Sequence, residues 1–208
     1  MKGRWYEKFR DDGKLYFNDD SYPLIESMMD EDMVVYSKHV PEGGSILECC
    51  CGPGYTAIPL SKHYDVTAFD RDDMVLDAAR QNALKYGGDV RFDKEEFSNI
   101  LVRYGPDSFD AASSGGVLEH FTKPEIRELV KLQLTVAPIV FAQMPLHDEG
   151  GGRPIEMGHG IGLYAYGRED WLNDILAGFN LLDSRRLPEK PEIARFREFM
   201  VVIGRDGE

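Results

Sequence analysis

The sequence lacks an excess of positive charge. Its 208 residues include 37 acidic and 24 basic side chains, which give a formal net charge of -13. A protein that binds a phosphate backbone normally presents a clustered basic face. Nucleic acid is therefore an unfavourable partner, and the basic group of Arg185, Arg186 and Lys190 is better interpreted as a solvated surface near a strand end.

Long apolar stretches are also missing. No run approaches the roughly 18 residues that a membrane span needs, and we find no secretory signal. There are only three cysteines, all consecutive, at Cys49, Cys50 and Cys51. Adjacent side chains point to opposite faces of a strand, which suits neither an ordinary disulfide nor a tetrahedral metal site. We expect buried free thiols, no membrane partner and a cytoplasmic location.

One cluster has the residue types of a metal site. It consists of His147, Asp148, Glu149, Glu156 and His159. Its spacing matches no recognised ligand motif. We therefore expect no bound metal.

Strand-like and helix-like segments alternate from Ser45 onward. Strands are predicted at residues 45–50, 65–69, 89–92, 109–113 and 139–143, followed by a prolyl-separated antiparallel pair at 179–187 and 196–203. Helices are predicted at 56–63, 74–85, 123–133 and 168–177. Alternation of this kind predicts a doubly wound α/β fold with a mostly parallel seven-stranded sheet, an antiparallel strand at one edge and helices on both faces.

The regions outside this alternation are the beginning of the chain and one long glycine-rich segment. Residues 1–42 are rich in aromatic and acidic side chains and predict a helical cap, whose aromatics either line a pocket or pack helices onto the sheet. Residues 147–167 contain seven glycines and predict a loop over the active site. We expect both regions to belong to a single domain that spans residues 1–208.

The most informative segment is ILECCCGPGY, residues 46–55. A short apolar run carries one acid and then breaks into Gly-Pro-Gly, which predicts a buried strand and a tight turn with exposed backbone amides. Glu48, Cys50, Gly52 and Gly54 fall at alternate positions, so the acid and the turn share one side of the strand end. A nucleotide-like cofactor is expected there.

A second acid lies at the end of the next predicted strand. Asp70 follows the glycine turn at about the spacing at which adenosine cofactors recruit a carboxylate for the ribose hydroxyls. A carboxylate that caps the following helix near Asp72 is the structural alternative. Gly52, Gly54 and Ala57 also satisfy the Gly-x-Gly-x-x-Gly/Ala fingerprint, which keeps a nicotinamide or flavin cofactor open.

Together with VRFDKEEFSNI and FDAASSGGVLEHF, these segments resemble the class I S-adenosylmethionine-dependent methyltransferases of the small-molecule type 11 or 12 kind. The resemblance covers residues 45–205, and Cys50 stands where the family has its first glycine. It implies S-adenosylmethionine as cofactor and S-adenosylhomocysteine as product. The implied cofactor-binding residues are Glu48, Cys50, Gly52, Gly54, Tyr55, Asp70, Arg71, Glu96, Phe97 and Ser114.

By the same resemblance, three acids have separate roles. Glu48 is expected to hold the cofactor's ammonium group, and Asp70 the ribose. Glu96 is expected at the adenine, with Asp93 and Glu95 as alternatives.

The catalytic and acceptor-binding residues are less constrained. His120, in the Leu-Glu-His run, is either a catalytic base or a helix-start histidine with a structural hydrogen bond. His147, His159, Tyr164 and Tyr166 on the glycine-rich segment are candidate substrate contacts or plain packing residues.

The implied reaction is an in-line transfer of a methyl group to a small-molecule acceptor. The Asp/Asn-Pro-Pro-aromatic run used on DNA bases is absent after the fourth strand, as is a Pro-Cys nucleophile. The alternatives are a non-catalytic module that binds S-adenosylmethionine and a nicotinamide- or flavin-dependent oxidoreductase. Nothing in the sequence indicates an oligomeric state.

Overall fold

A computed structural model of the protein describes residues 4–187 and 198–205. The helices are α1 (Trp5–Asp11), α2 (Ser21–His39), α3 (Ala57–Leu60), α4 (Asp73–Tyr86), α5 (Ile100–Tyr104) and α6 (Lys123–Val136). The strands are β1 (Ser45–Cys49), β2 (Asp65–Asp70), β3 (Val90–Lys94), β4 (Ala111–Gly115), β5 (Ile139–Met144), β6 (Arg153–Glu156), β7 (Gly162–Ala165), β8 (Asn180–Arg186) and β9 (Phe199–Gly204). Short 3-10 turns at Phe97–Asn99 and Leu118–His120 and a π-helix at Asp170–Ile175 complete these elements.

Seven strands form the main sheet, in the order β3-β2-β1-β4-β5-β9-β8. All neighbouring pairs from β3 to β5 are parallel, whereas β9 pairs antiparallel with both β5 and β8. The order reverses between β1 and β4, and ligands of open α/β sheets bind at the carboxyl ends of the strands beside such a reversal. The predicted fold class is confirmed, with β9 one strand in from the edge.

Both faces of the sheet are covered. In β1, Leu47 and Cys49 belong to a core cluster under α5, α6 and the π-helix, whereas Ile46 belongs to the cluster under α2, α3 and α4. Glu48 shares the face of Ile46 because side chains alternate along a strand. The acid of the first motif is thus built into a fully buried strand, where it is 2% exposed.

The structure differs from the predicted elements in two segments. Residues 147–167 are not a plain loop, because β6 and β7 pair there as an antiparallel hairpin, with Arg153 opposite Ala165 and Glu156 opposite Gly162. Helix α5 was not predicted, since Ile100–Tyr104 is too short to show a helical period. Part of the predicted strand at 196–203 lies outside the described residues, and β9 begins at Phe199.

The cap packs against the domain through aromatic rings and one amide. Phe17 and Tyr22 form a buried group with Tyr55 and Tyr86, in which the Tyr22 and Tyr86 rings stack at 4.0 Å between centroids. The Tyr55 hydroxyl donates to the Lys14 carbonyl at 2.9 Å. These contacts hold the segment between α1 and α2 over the glycine turn.

Asn82 in α4 joins that segment to the turn directly. Its amide nitrogen donates to the carbonyls of Leu15 at 3.1 Å and Pro53 at 3.0 Å, and its oxygen accepts from the Phe17 N–H at 3.0 Å. The side chain is 2% exposed, so all three bonds are shielded from water.

Among the described residues, we find no helix with the length and apolar character that a membrane crossing requires.

We expect Asn82→Ala to lower the free energy of unfolding by about 2 to 3 kcal/mol, because three buried backbone groups would lose their partner. Urea denaturation at neutral pH measures the change. The exposed neighbour provides the control: Gln81→Ala should stay within about 0.5 kcal/mol of the wild type. Equal stability of the two variants would contradict the role assigned to Asn82.

Candidate active site

A cavity of about 800 Å³ opens at the carboxyl ends of the central strands. Its lining comes from α1 and the residues after it, the ends of β1 and β2, and the segments that follow β3, β4 and β5. The hairpin contributes Met157, Ile161 and Leu163. The predicted site residues that line it are Glu48, Cys50, Gly52, Tyr55, Asp70, Arg71, Glu96, Phe97, His120 and His147.

Asp70 connects the end of β2 to the glycine turn. One carboxylate oxygen accepts from the Gly52 N–H at 3.1 Å, and the other accepts from the Asp72 N–H at 3.1 Å. Burial raises the pKa of the Asp70 carboxyl, although the backbone N–H groups around it favour the charged form. The helix cap considered as an alternative is made by Asp72, whose carboxylate accepts from Met74 N–H. The carboxylate that caps α4 is therefore a different residue from Asp70, which lines the cavity.

The glycine turn leaves the cavity little room for additional side chains. Gly52 has φ 53°, and a Cβ there would lie 3.3 Å from the Phe9 ring. Gly54, by contrast, does not line the cavity, and a Cβ there would come within 2.7 Å of Ile58 Cδ1. Its small size is required by packing against α3, which sequence spacing alone does not distinguish from contact with a cofactor.

Cys50 has a left-handed backbone conformation with φ 54°. Non-glycine residues rarely adopt this region, because their Cβ atom crowds the backbone. This conformation is a physical reason why the family that the sequence resembles has glycine at the position of Cys50. Burial raises the pKa of the Cys50 thiol, and the nearby Asp70 carboxylate acts in the same direction.

Of the three acids at the end of β3 and just after it, Glu95 and Glu96 both line the cavity and Asp93 does not, and their hydrogen bonds favour Glu96 as the acid available to a ligand. The Asp93 carboxylate is engaged by the Tyr104 hydroxyl and by Arg91, both at 3.1 Å. Glu95 accepts from the Glu96 N–H and from Asn99, and it stabilises the start of the 3-10 turn. The Glu96 side chain is exposed and lines the cavity next to Phe97.

Ser114 lies near the carboxyl end of β4, as expected, but it is not among the residues that line the cavity. Ser113 is the partner of Glu48 in the register of β4 and β1, so these two side chains share a face of the sheet. Ser114 points to the opposite face, where its hydroxyl is buried and has no hydrogen-bond partner among the described residues. Gly115 and Gly116, just beyond it, line the cavity.

Glu119 and His120 follow β4 and both line the cavity. Glu119 is 2% exposed, and burial raises the pKa of its carboxyl to about 8. Its Oε2 atom has no hydrogen-bond partner among the described residues, and Oε1 lies 4.0 Å from His120 Nε2. The carboxyl group is therefore protonated at neutral pH.

His120 is held firmly by its surroundings. Its Nδ1 atom lies 2.6 Å from the Gly162 carbonyl, which can only accept, so this nitrogen carries a proton. The edge of the ring packs on Trp5, at 4.9 Å and 83° between the rings. Burial lowers the pKa of His120, which keeps the imidazole neutral near pH 7. The structural hydrogen bond considered for this histidine is present.

The other candidates on the glycine-rich segment divide into two groups. His147 lines the cavity, and its Nε2 atom is buried without a partner among the described residues. Three others are absent from the lining. His159 lies 3.3 Å from Asp11 of α1, and Tyr164 stacks on Tyr166. These three make packing and tethering contacts.

Sequence reasoning left open whether the aromatics of residues 1–42 line a pocket, and it did not identify which of them do. Trp5, Phe9 and Lys8 line the cavity, and α1 is tied to the hairpin because the Arg4 N–H donates to the His159 carbonyl at 3.2 Å. The aromatic content of residues 1–42 was the only available signal. No periodic pattern distinguishes a pocket aromatic from a core one.

The residues present fit the cofactor that the resemblance implies. Glu48, Asp70 and Glu96 come from three successive strand ends and supply carboxylates for ammonium, hydroxyl and amino donors. Backbone at Gly52, Gly115 and Gly116 lines the cavity between them without side chains.

Comparison with protein families gives a match over residues 46–136 to a methyltransferase domain. Residues 46–136 therefore form a methyltransferase domain, and the chain has the fold of the class I S-adenosylmethionine-dependent methyltransferases. The resemblance that the sequence motifs predicted is thereby confirmed. A comparison with curated protein sequences gave no match.

Solved structures, two of them of named methyltransferases, share the fold of this chain. The 1,6-didemethyltoxoflavin-N1-methyltransferase of Burkholderia thailandensis, with bound 1,6-didemethyltoxoflavin and S-adenosylhomocysteine, has a TM-score of 0.71 at 21% identity over 97% of this chain and 86% of its own. Magnesium protoporphyrin IX methyltransferase of Synechocystis with bound S-adenosylhomocysteine has a TM-score of 0.67 at 18% identity, over 96% and 95%. A Pyrococcus horikoshii protein has a TM-score of 0.72 at 15% identity, over 96% and 99%.

In the part of the chain that the structure describes, no group of three or more His, Cys, Asp or Glu side chains is arranged to hold a metal ion. His147 and His159, from the cluster considered in the sequence, have the separate environments described above.

Because Cys50 has a left-handed conformation, glycine and alanine substitutions there should have the opposite order of stability from the same substitutions in a regular strand. We expect Cys50→Gly to be more stable than Cys50→Ala by about 1 kcal/mol, because both lose the sulfur and only alanine keeps the strain. At Cys49, in regular strand geometry, alanine should be better than glycine by about 0.5 to 1 kcal/mol. Thermal unfolding of the four variants checks this. The same order at both positions would contradict the strain at Cys50.

The raised pKa of Glu119 predicts a pH-dependent stability. The unfolded chain ionises near the ordinary value of 4.5, whereas the folded domain keeps the proton up to about pH 8. The folded state binds more protons in that window, so stability falls as pH rises through it, by about 1.4 kcal/mol for each unit of pKa difference. Glu119→Gln removes this titration.

We therefore expect the wild type to lose several kcal/mol relative to Glu119→Gln between about pH 5 and about pH 9. Urea denaturation of both proteins across that range measures the difference, and the other titrating groups cancel in the comparison. A constant difference would indicate that Glu119 ionises normally.

Proposed function

We propose that the domain binds S-adenosylmethionine in the cavity and transfers its methyl group to a small-molecule acceptor. The observation that carries the proposal is the convergence of the three predicted cofactor segments, after β1, β2 and β3, on one cavity wall within the matched methyltransferase domain. Solved relatives with bound S-adenosylhomocysteine support the same cofactor.

We assign the cofactor to the strand-end part of the cavity. Glu48 receives the ammonium group, Asp70 the ribose hydroxyls and Glu96 the adenine edge. Asp70 is preorganised for this task because the Gly52 and Asp72 N–H groups already orient its carboxylate. Tyr55, Arg71 and Phe97 border the same wall. Gly54 and Ser114 act through packing in this proposal.

S-adenosylmethionine supplies an electrophilic methyl group, which an acceptor lone pair attacks in line while the electron pair of the carbon–sulfur bond stays on sulfur. The protein holds the acceptor in line with the methyl group and excludes water from the site. Helix α1 and the β6–β7 hairpin border the cavity from outside the sheet, and we infer that they enclose the acceptor. This assigns the cover of the active site to residues 147–167 and to α1 together.

For an acceptor that must lose a proton, we assign the proton-accepting role to His120. Its Nδ1–H is committed to the Gly162 carbonyl, so the lone pair of the neutral ring resides on Nε2, while the Gly116 backbone also favours the protonated ring. Burial lowers its pKa, which keeps that lone pair available at neutral pH. A neutral amine acceptor would not need this step.

The small-molecule acceptor is supported by the relatives and by charge. The Burkholderia relative was solved with 1,6-didemethyltoxoflavin, and the Synechocystis relative is named for magnesium protoporphyrin IX. The net charge of -13 disfavours a polyanionic acceptor such as nucleic acid.

We expect Asp70→Ala to weaken S-adenosylhomocysteine binding by about tenfold or more, because the ribose loses a charge-assisted partner worth about 1.5 to 3 kcal/mol. Isothermal titration calorimetry measures the affinity. Asp70→Asn, which keeps the size and one hydrogen-bond acceptor, should also lose affinity. Asp77→Ala removes an exposed acid of α4 and should leave binding unchanged.

The same titrations address the alternatives. Binding of NADH without binding of S-adenosylhomocysteine would support the oxidoreductase and contradict the proposal. A protein that binds S-adenosylmethionine but transfers no labelled methyl group to any small-molecule fraction would be the non-catalytic module. Unchanged affinity in Asp70→Ala would remove Asp70 from the ribose site.

A further inference from the structure

A second group of residues that line the cavity differs in chemistry from the three cofactor acids. It is apolar and partly aromatic, with Trp5 from α1, Val117 and Phe121 from the segment after β4, and Ile161 and Leu163 from the hairpin. We call these five residues the acceptor wall. Aromatic rings on such a wall favour flat ligands that can stack or pack edge to face.

Two polar atoms of the cavity-lining residues near this wall lack partners among the described residues. They are Oε2 of Glu119 and Nε2 of His147, and both atoms are buried. A buried polar atom without a partner costs free energy, about 1 to 3 kcal/mol for a neutral group. A ligand that bonds to such an atom recovers this cost, so both atoms indicate where the polar edge of an acceptor binds.

The charge state of these groups limits the ligand further. Burial raises the pKa of Glu119 to about 8 and lowers that of His120, so neither is charged near pH 7. Among the described residues, the hairpin and the segments after β4 and β5 bring no lysine or arginine to the lining. An anionic acceptor would find no countercharge on these elements.

Helix α1 and the segment after it supply two lysines to the lining. Lys8 is paired with Asp12 at 2.9 Å, and Lys14 lies beside the glycine turn, where its carbonyl accepts from the Tyr55 hydroxyl. A cationic acceptor is the serious competitor, since it would ionise Glu119 and pair with it. A neutral acceptor needs no such ionisation. A neutral acceptor can take a hydrogen bond from Glu119 while the carboxyl group of Glu119 stays protonated.

We propose that the acceptor is a flat, uncharged heteroaromatic molecule that packs on the acceptor wall and takes a hydrogen bond from the carboxylic acid of Glu119. The inference rests on the proposed function, because it assumes that the rest of the cavity holds the cofactor. It makes Glu119 a specificity-determining residue that acts as a neutral donor. The buried Nε2 atom of His147 offers a second polar contact in the same cavity.

The test uses the full chain saturated with S-adenosylhomocysteine and four ring compounds as probes, with affinities measured by calorimetry at pH 7. Quinolin-4-ol is flat and uncharged, quinoline-4-carboxylate is a flat anion, 4-(aminomethyl)quinoline is a flat cation, and decahydro-1-naphthol is uncharged but not flat. We expect quinolin-4-ol to bind about tenfold or more tightly than each of the other three.

Variants at position 119 distinguish donation from charge. Glu119→Gln keeps a neutral donor of the same shape and should hold quinolin-4-ol within about threefold of the wild type, whereas Glu119→Leu should lose about tenfold or more. S-adenosylhomocysteine affinity should stay constant in both variants. Glu128→Leu, at an exposed position of α6, is the control.

Three results would overturn the inference. These are tightest binding of the cationic probe with loss of that binding in Glu119→Gln, tightest binding of the anionic probe, and equal binding of all four probes. Failure of the wild type to bind S-adenosylhomocysteine would contradict the proposed function instead. If Glu119→Leu does not fold, the wild-type panel and Glu119→Gln still decide.

Discussion

The hydrogen bond from the Gly52 N–H to the Asp70 carboxylate joins the two strand ends on which the rest of the site depends. It fixes the left-handed turn after β1 to the end of β2, where parallel strands bring them side by side. The same carboxylate anchors the start of α4 through the Asp72 N–H. One side chain therefore positions the turn, the helix and an acid of the cavity wall together.

Helix α4 extends this arrangement to the cap. Asn82 connects α4 to Pro53 of the turn and to Leu15 and Phe17 before α2. The cap in turn leads to α1, whose Trp5 packs on His120. The cofactor wall and the acceptor wall are thus parts of one packed unit, although they come from distant segments of the chain. A substitution that shifts one wall is therefore expected to shift the other wall as well.

Local sequence patterns predicted most of the fold and part of the site. The alternation of strands and helices, Glu48 within a buried strand and Asp70 at the end of the next strand were predictable because each depends on a few neighbouring residues. Ser114, predicted to bind the cofactor, does not line the cavity; in a strand a shift of one residue turns the side chain to the opposite face, and the motif did not indicate which face is the cavity's. The hairpin β6–β7 was missed because its strands are only four residues long and bounded by glycines.

The fold class, the methyltransferase resemblance and the acids suited to a cofactor could be predicted from the sequence, because they follow from short-range periodicity and spacing. The folded chain was needed to separate Asp93, which does not line the cavity, from Glu95 and Glu96, which do, and to show that Glu95 is engaged by its own neighbours. It also decided that Glu119 is a buried acid that lines the cavity. Burial, which raises the pKa of this carboxyl, is a property of segments packed together in the fold and has no signature in the local sequence.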